Sequence, residues 1–330
     1  MKTYIPYSLL AALAACGMAS GASTAYTTPV GYVTESILAS QYNVVGLTLQ
    51  SPVARAGTID VVSGTVLTDN GASFGTLAAG TYVLEINSGA LVGAIQEITT
   101  FSGDTITTPQ DLSATLVAGT TYSLRPAATF NSVFGAANSA GLLAGSATTA
   151  DIIWVPSGSG FSKYYYTNAA PPFVTAGWKN TSTGNTDQGN APIVYTDGIM
   201  IQRRAATNLS LVISGEVKVT KTMLTVDQSY TYVGGVYPAG STLGNSGLKD
   251  FVLKGSITTG DVLWVPNGTG GSNKYYYTLA APPFVSEGWK RSDTGNTDQS
   301  NAPITSGYFI QRRAPSAYNA LITPPTSYAN

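Results

Sequence analysis

Two segments of the sequence repeat one set of side chains that could bind a polar ligand. Each set has one aromatic ring, one cation and several amide or carboxyl groups: Trp178, Lys179, Asn185, Asp187 and Gln188 in the first, and Trp289, Lys290, Asn296, Asp298 and Gln299 in the second. An aromatic ring packs on the apolar face of a sugar, and amides and carboxylates bond to its hydroxyl groups. In the alternative interpretation, the tryptophan anchors its own loop in a core and the Asn and Asp residues form turns.

A tyrosine-rich strand precedes each set. In residues 163–167, strand alternation places Tyr164 and Tyr166 towards the core and Tyr165 on the wetter face, together with a lysine and a threonine. Tyr165 and its copy Tyr276 could therefore act as stacking platforms for sugar rings. The alternative is an ordinary cross-strand aromatic pair that covers the sheet.

A second pair of positions suggests a structural ion pair. Alternation places Arg203 on the buried face of its strand, and we expect it to reach a partly buried carboxylate. Asp151 is the best partner, and Asp261 with Arg312 is the equivalent pair in the second copy. A bound anion on the arginine is the alternative.

Catalysis by the common nucleophilic routes is excluded by composition. The chain has no histidine, and Cys16 is its single cysteine, so Ser-His-Asp and Cys-His machinery and ordinary zinc sites cannot form. A glycosidase needs two carboxylates about 5–10 Å apart. The acids present in both copies supply one pair each: Asp151 with Asp187, and Asp261 with Asp298. Nothing in the sequence places these acids together, so we expect no enzyme activity.

No cofactor and no metal are expected. The strongest metal candidate is calcium, because Asp293, Asn296 and Asp298 offer alternating oxygen atoms. The first copy has Ser182 in place of Asp293, and neither copy has the glycine and bidentate glutamate of an EF-hand. Calcium bound at this loop is therefore the alternative to a loop without a metal.

The beginning of the chain has the pattern of an export signal. A short apolar run follows Lys2, and Ser20, Gly21 and Ala22 form a small-residue cleavage site, which predicts a signal peptide over residues 1–22. Leu-Ala-Ala before Cys16 also resembles a bacterial lipobox, in which the cysteine carries the lipid. We expect a secreted or cell-surface protein, with an outer-membrane lipoprotein as the alternative. No later segment is long and apolar enough to cross a membrane.

The charge content is low and nearly balanced. Charged residues make up 10% of the chain and the net charge is −1, so nucleic acid is not an expected partner. Average soluble domains carry about 25% charged residues. A surface with so few charges repels its neighbours weakly, which favours self-association or contact with an extracellular polysaccharide.

Strand patterns dominate the rest of the sequence. Runs rich in Val, Ile, Thr and Tyr alternate with turn residues, which predicts an all-β fold made of β-sandwich or β-roll-like units. The best helix candidates are 133–144 and 246–253, one short helix for each repeat unit. The segment 168–197 is expected to be a long loop, because Pro171 and Pro172 cannot lie in a central strand.

Self-comparison sets the predicted domain organisation. Residues 151–206 recur almost unchanged at 261–315, so each repeat unit is about the size of a small domain. We predict an N-terminal β-domain at 23–115, a first repeat unit at 116–222 and a second at 223–330.

The segment Thr28-Pro-Val-Gly-Tyr-Val-Thr and the following Trp, Tyr-Tyr-Tyr, Gly-Trp and Arg-Arg motifs resemble a family of uncharacterised exported bacterial β-rich proteins. The resemblance implies export and β structure, and it implies no catalytic residue.

The sequence therefore predicts an exported, non-catalytic structural protein of the cell surface or extracellular matrix. A carbohydrate-binding or adhesin module that uses the duplicated aromatic loops is the alternative. A carboxylate-dependent enzyme acting on polysaccharide is a remote third hypothesis.

Overall fold

The computed structural model describes residues 29–328, so the predicted signal peptide at 1–22 and Cys16 lie outside the described residues. The fold is all-β. Within this range there are twenty-four strands, one α-helix and three short 3-10 helices, arranged in several antiparallel sheets. No helix in the described part of the chain is long and apolar enough to span a membrane.

The strands up to residue 126 fall into two groups. The first two strands are β1 (Val30–Ile37) and β2 (Tyr42–Val45). The next eight are β3 (Arg55–Thr58), β4 (Val61–Ser63), β5 (Val66–Thr68), β6 (Tyr82–Ile86), β7 (Ile95–Ile98), β8 (Thr100–Ser102), β9 (Thr105–Thr107) and β10 (Thr121–Pro126). A 3-10 helix at Phe74–Thr76 lies between β5 and β6.

The strands from Ala128 onward belong to two consecutive repeats, each built around one copy of the repeated block. The first contains β11 (Ala128–Thr129), helix α1 (Phe130–Phe134), β12 (Ile152–Ser157), β13 (Gly160–Thr167), β14 (Gly177–Asn180), β15 (Pro192–Ile193), β16 (Ile199–Gln202) and β17 (Leu209–Glu216). The second contains β18 (Thr222–Val226), β19 (Ser229–Val233), β20 (Val262–Pro266), β21 (Ser272–Thr278), β22 (Gly288–Arg291), β23 (Tyr308–Arg312) and β24 (Tyr318–Ile322), with 3-10 helices at Leu248–Asp250 and Thr326–Tyr328.

Each repeat forms one five-stranded sheet and one two-stranded ribbon, and the first repeat also has the short pair β11-β15. The sheets have the orders β14-β13-β12-β16-β2 and β22-β21-β20-β23-β19, and the ribbons are β1-β17 and β18-β24. The register is the same in both copies: Trp154 lies opposite Lys163 in the first sheet, and Trp264 lies opposite Lys274 in the second. Sequence identity between the copies is therefore matched by the same pairing of the equivalent strands of the two sheets.

Strand pairing places the region from β3 to β10 inside the first repeat. Strands β1 and β2 lie in the predicted N-terminal domain 23–115, but they pair with β17 and β16 of the predicted unit 116–222. Strand β10 follows the predicted boundary, yet it pairs with β3 and β6. The inserted region, residues 51–126, thus forms two four-stranded sheets of its own, β3-β10-β6-β7 and β4-β5-β9-β8.

Two apolar cores hold these sheets. One core combines buried side chains of both repeats, including Ile153 and Ile201 from the first and Leu263 and Ile310 from the second. The inserted region has a separate core around Leu84 and neighbouring residues. The two repeats therefore fold as one packed body.

Helix α1 forms slightly earlier in the sequence than predicted. It begins after Thr129, whose side chain accepts a hydrogen bond from the Ser132 amide in a capping box, and it ends at Gly135, whose φ is 86°. Phe130 and Phe134 lie one turn apart and are both buried. The segment 133–144 predicted as a helix therefore turns away after its first two residues, and 246–253 contains only a 3-10 turn.

The two repeats touch backbone to backbone where four of their strands begin and end. A Cβ atom at Gly198 would lie 2.7 Å from the Val233 carbonyl oxygen, and one at Gly307 would lie 2.5 Å from the Val45 carbonyl carbon. Val45 and Val233 end the equivalent strands β2 and β19, and the two glycines precede the equivalent strands β16 and β23. The contact is thus the same in both directions, as in a two-fold dimer. We call it the glycine contact.

Replacing Gly307 with alanine should lower the free energy of unfolding by about 1–3 kcal/mol, because the new methyl group would meet backbone atoms of Val45 and Gly46 that cannot move independently. Gly31→Ala is the matched control, since no atom lies within 4 Å of its added Cβ. Urea denaturation followed by tryptophan fluorescence would measure both. Equal stability of the two variants would contradict the close approach of the strand ends.

Candidate functional site

Both tryptophans of the repeated set are core residues. Trp178 and Trp289 are each 1% exposed. The Trp178 ring packs against Phe130, Phe134 and Tyr166, and its Nε1 donates a hydrogen bond of 3.0 Å to the Gly135 carbonyl oxygen. Neither ring offers a free face to a sugar, and the tryptophans anchor strands β14 and β22, which follow the loops, in the core.

The two lysines of the set are also buried, and each holds a loop in place. Lys179 is 1% exposed, and its Nζ donates to Thr175 Oγ1 at 3.0 Å and to the Asn185 carbonyl oxygen at 2.8 Å. Lys290 makes the same two bonds in the second copy, with Ser286 Oγ at 3.0 Å and the Asn296 carbonyl oxygen at 2.9 Å. Both ammonium groups therefore form their hydrogen bonds inside the protein, away from any ligand.

The asparagines extend this support towards the loop tip. Asn185 Oδ1 accepts from the Thr175 amide at 3.2 Å, and Asn185 Nδ2 donates to the Phe173 carbonyl oxygen at 3.2 Å. Asn296 bonds in the same way to Ser286 and Phe284. The lysine and asparagine of each set thus fix the conformation of one loop through hydrogen bonds.

The remaining members of the set lie at the end of the loop. Asp187 and Asp298 are exposed, and Asp298 Oδ1 accepts from Ser300 Oγ at 2.8 Å. Gln188 and Gln299 bond through their backbone amides to the carbonyl oxygens of the two tryptophans, at 2.8 and 2.9 Å. Among the charged groups of the two sets, only the carboxylates of the two aspartates are open to solvent.

Two of the oxygen atoms proposed to bind calcium already accept hydrogen bonds from neighbouring side chains. Asp293 Oδ1 accepts from Arg291 Nε at 2.6 Å, and Asn296 Oδ1 accepts from Ser286. Within residues 29–328, no group of three His, Cys, Asp or Glu side chains could hold a metal ion.

These two loops end in exposed apolar tips, which the sequence analysis did not predict as a site. Phe173 is 82% exposed and Phe284 is 81% exposed. The residues before each phenylalanine are exposed too, in the segments Ala-Ala-Pro-Pro-Phe at 169–173 and 280–284. We call these two segments the loop tips. The repeated Pro-Pro-Phe run was the available signal, because an apolar residue after two prolines has no strand or helix in which to be buried.

The outer face of each five-stranded sheet carries the two predicted platform tyrosines. Tyr166 and Tyr277 are buried, and Tyr165 and Tyr276 are half-buried on the opposite face. The lysines of this face lie over tryptophan rings: Nζ is 4.0 Å from the ring centroid both for Lys163 on Trp154 and for Lys274 on Trp264.

A continuous row of aromatic rings joins these two outer faces. We call it the aromatic strip, and its members in order are Tyr42, Trp154, Phe161, Tyr232, Phe309 and Trp264. Successive ring centroids are 5.1 to 6.3 Å apart. Tyr42 is 56% exposed and the other five rings are half-buried. The contact between Phe161 and Tyr232 crosses from one repeat to the other, so no pattern within one repeat could have predicted the strip.

Asp151 and Arg203 form an ion pair, with Nη1 and Oδ2 2.5 Å apart, and Asp261 and Arg312 form the equivalent pair at 2.6 Å. The other oxygen of Asp151 accepts from the Arg204 amide at 2.7 Å. Both aspartates are at most 2% exposed. Each pair ties the start of one strand to the end of another, which is a structural task.

The carboxylates considered for catalysis occupy different environments. Asp151 is buried and fully hydrogen-bonded, whereas Asp187 is exposed on its loop. A different acid is perturbed: burial, with a smaller effect of the nearby Glu97, raises the pKa of Asp197 from 3.8 to about 7. Asp197 lies beside the glycine contact, where it forms a β-bridge with Val233.

Comparison with known proteins gives no relative. No protein-family model, no curated protein and no solved structure matches the sequence. The resemblance to exported bacterial β-rich proteins stays a prediction.

Asp197→Asn should stabilise the protein at alkaline pH. Because the folded state raises this pKa, the stability linked to the protonated acid is complete below pH 3.8 and is lost as the pH rises through about 7. The gain from the variant should be near zero at pH 4 and reach at most about 4 kcal/mol at pH 8. Urea denaturation at the two pH values would measure it.

The exposed Asp227→Asn serves as the control for this measurement. A gain of the same size at pH 4 and pH 8 would contradict the raised pKa.

Proposed function

We propose that the protein is an exported, non-catalytic structural protein of the cell surface or extracellular matrix, and that its two loop tips make intermolecular contacts. The observation that carries this proposal is the pair of exposed phenylalanines, Phe173 and Phe284. Full burial of one such side chain is worth about 1.5–3 kcal/mol. An exposed aromatic tip therefore contributes most when another molecule covers it.

The way in which the tips are held supports a contact role. Each tip is fixed by a buried lysine and an asparagine, as in the bonds of Lys179 and Asn185. A rigid tip loses little conformational entropy when it binds, so more of its burial energy remains for association. Two identical tips in one chain also allow weak contacts to combine as avidity.

The composition supports assembly as well. With 10% charged residues and a net charge of −1, chains approach one another with little electrostatic repulsion. Association through the tips would then be limited mainly by shape and by the apolar area covered.

Carbohydrate binding is the second candidate, and the aromatic strip favours it. The loop tryptophans and lysines are buried, so this candidate moves from the loops to the outer faces of the sheets. Tyr165 and Tyr276 remain available there beside the strip.

The double variant Phe173→Ser with Phe284→Ser should assemble more weakly than the unchanged chain. Each lost phenylalanine should weaken association by roughly 10- to 100-fold, because its ring no longer leaves water on contact. Sedimentation velocity over a range of protein concentrations would measure the association constant. Thermal unfolding should stay unchanged, since both side chains are already exposed.

Val61→Ser is the matched control, because Val61 is 50% exposed on β4 of the inserted region, outside the tips. A chain that stays monomeric at every concentration, or a double variant that associates as strongly as the control, would overturn the assembly role.

A further inference from the structure

An open cavity of about 260 Å³ lies in the first repeat at the Tyr42 end of the aromatic strip. Its lining residues come from the start of β2 and the end of β16: Ser40, Gln41, Tyr42, Gln202, Arg203 and Arg204. The cavity thus combines one ring for stacking with amide and guanidinium groups, the kinds of polar group that orient a bound ligand by hydrogen bonds.

Free donors in the cavity come from Arg204 and two glutamines. Arg203 is committed to Asp151, but within residues 29–328 the Arg204 side chain donates only through Nη1, to the carbonyl oxygens of Ala147 and Ala150. Its Nη2 and Nε, and the side-chain amides of Gln41 and Gln202, bond to no other residue in the part of the chain that the structure describes. A guanidinium edge with two free N–H groups suits a carboxylate.

The second repeat lacks the same arrangement. Ser229 stands at the position of Gln41, and the Gln311 side chain accepts a bond of 3.4 Å from Trp264 Nε1. Arg313 is exposed and donates to the Ile257 carbonyl oxygen. Tyr230 takes the place of Tyr42 in the second repeat, so the two copies differ at the glutamines, and Arg313 is the matched control for Arg204.

Positive charge continues from the cavity along the strip. Lys163 lies over Trp154 near the cavity, and Lys274 lies over Trp264 at the far end. The buried acid that contacts both cavity arginines, Asp151, is paired with Arg203. A chain of sugars that carries carboxylates would meet aromatic rings for its apolar faces and cations for its charges.

We propose that the cavity and the aromatic strip bind an acidic polysaccharide, with the carboxylate of one sugar unit on Arg204 and the following units along the strip. This inference deepens the carbohydrate-binding candidate and rests on it, and it does not depend on assembly through the loop tips.

Polygalacturonate is a suitable probe, and fully methyl-esterified polygalacturonate is its neutral counterpart. Isothermal titration calorimetry should detect binding of the acidic polymer and at least tenfold weaker binding of the ester, because the ester cannot accept the charged hydrogen bonds of Arg204. Equal affinity for the two polymers, or no binding of the acid, would overturn the proposal.

Variants locate the site. Arg204→Ala should weaken binding of polygalacturonate by roughly 10- to 100-fold, since it removes charged hydrogen bonds. Tyr42→Ala should weaken it by about tenfold through lost stacking, and it removes a largely exposed ring, so the variant should fold. Arg313→Ala, the same change in the second repeat, should leave the affinity unaltered.

Equal weakening by Arg204→Ala and Arg313→Ala would show diffuse attraction to positive charge and would overturn the cavity assignment. The variant Phe173→Ser with Phe284→Ser should bind polygalacturonate as the unchanged chain does. Loss of polysaccharide binding can thus be distinguished from loss of assembly.

Discussion

The glycine contact between the two repeats sets the geometry on which the other surfaces depend. Side chains at Gly198 and Gly307 would hold the sheets apart, since an added Cβ would already lie within 2.7 Å of the opposing backbone. Because glycine has no side chain, the Gly198 amide donates a hydrogen bond of 3.1 Å to the Tyr232 carbonyl oxygen. The two sheets therefore approach each other as closely as hydrogen-bonded strands do. This closeness lets the repeats share one apolar core and brings Phe161 against Tyr232 on the outer face. The aromatic strip therefore depends on glycine at positions 198 and 307.

A buried charge cluster attaches the inserted region to this pair of repeats. Glu85 on β6 meets Arg125 at 3.2 Å and Lys218 at 3.1 Å, and it accepts a hydrogen bond of 2.8 Å from Tyr195. Burial raises the pKa of Glu85, but Lys218 and Arg125 outweigh it, so the pKa lies below its ordinary value and the carboxylate stays charged. Arg125 also bonds to Glu216 at 2.7 Å. Removing one partner would leave a buried charge uncompensated, and this explains why an insertion with its own core is still fixed in place.

Local patterns in the sequence predicted more of the strands than of their partners. Alternation correctly indicated that Tyr166 lies in the core and that Tyr165 lies on the other face, because a side chain's face depends only on its own strand. The pairing of β2 with β16 could not be predicted, because the inserted region separates the two strands in the sequence. Which strands pair depends on the apolar surfaces that they bury together, and these lie far apart along the chain. The segment 168–197 was predicted to be a loop, but it contains strand β14, in which Trp178 lies opposite Tyr166. A strand of four buried residues shows no alternation, so only the position of Phe130 and Phe134 shows that the Trp178 ring is buried.

The two copies differ in a way that separates two kinds of surface. Lys179 and Lys290, with their asparagine partners, are buried supports, and both copies use them to hold the same exposed phenylalanine tip. A contact that works through avidity gains from being present twice, because the second contact forms at a high effective concentration. The cavity beside Tyr42 is lined by Gln41, and Ser229 replaces this glutamine in the second copy. A cavity at the end of a continuous strip needs no second copy, since one polymer chain can occupy the whole row of rings that both repeats provide.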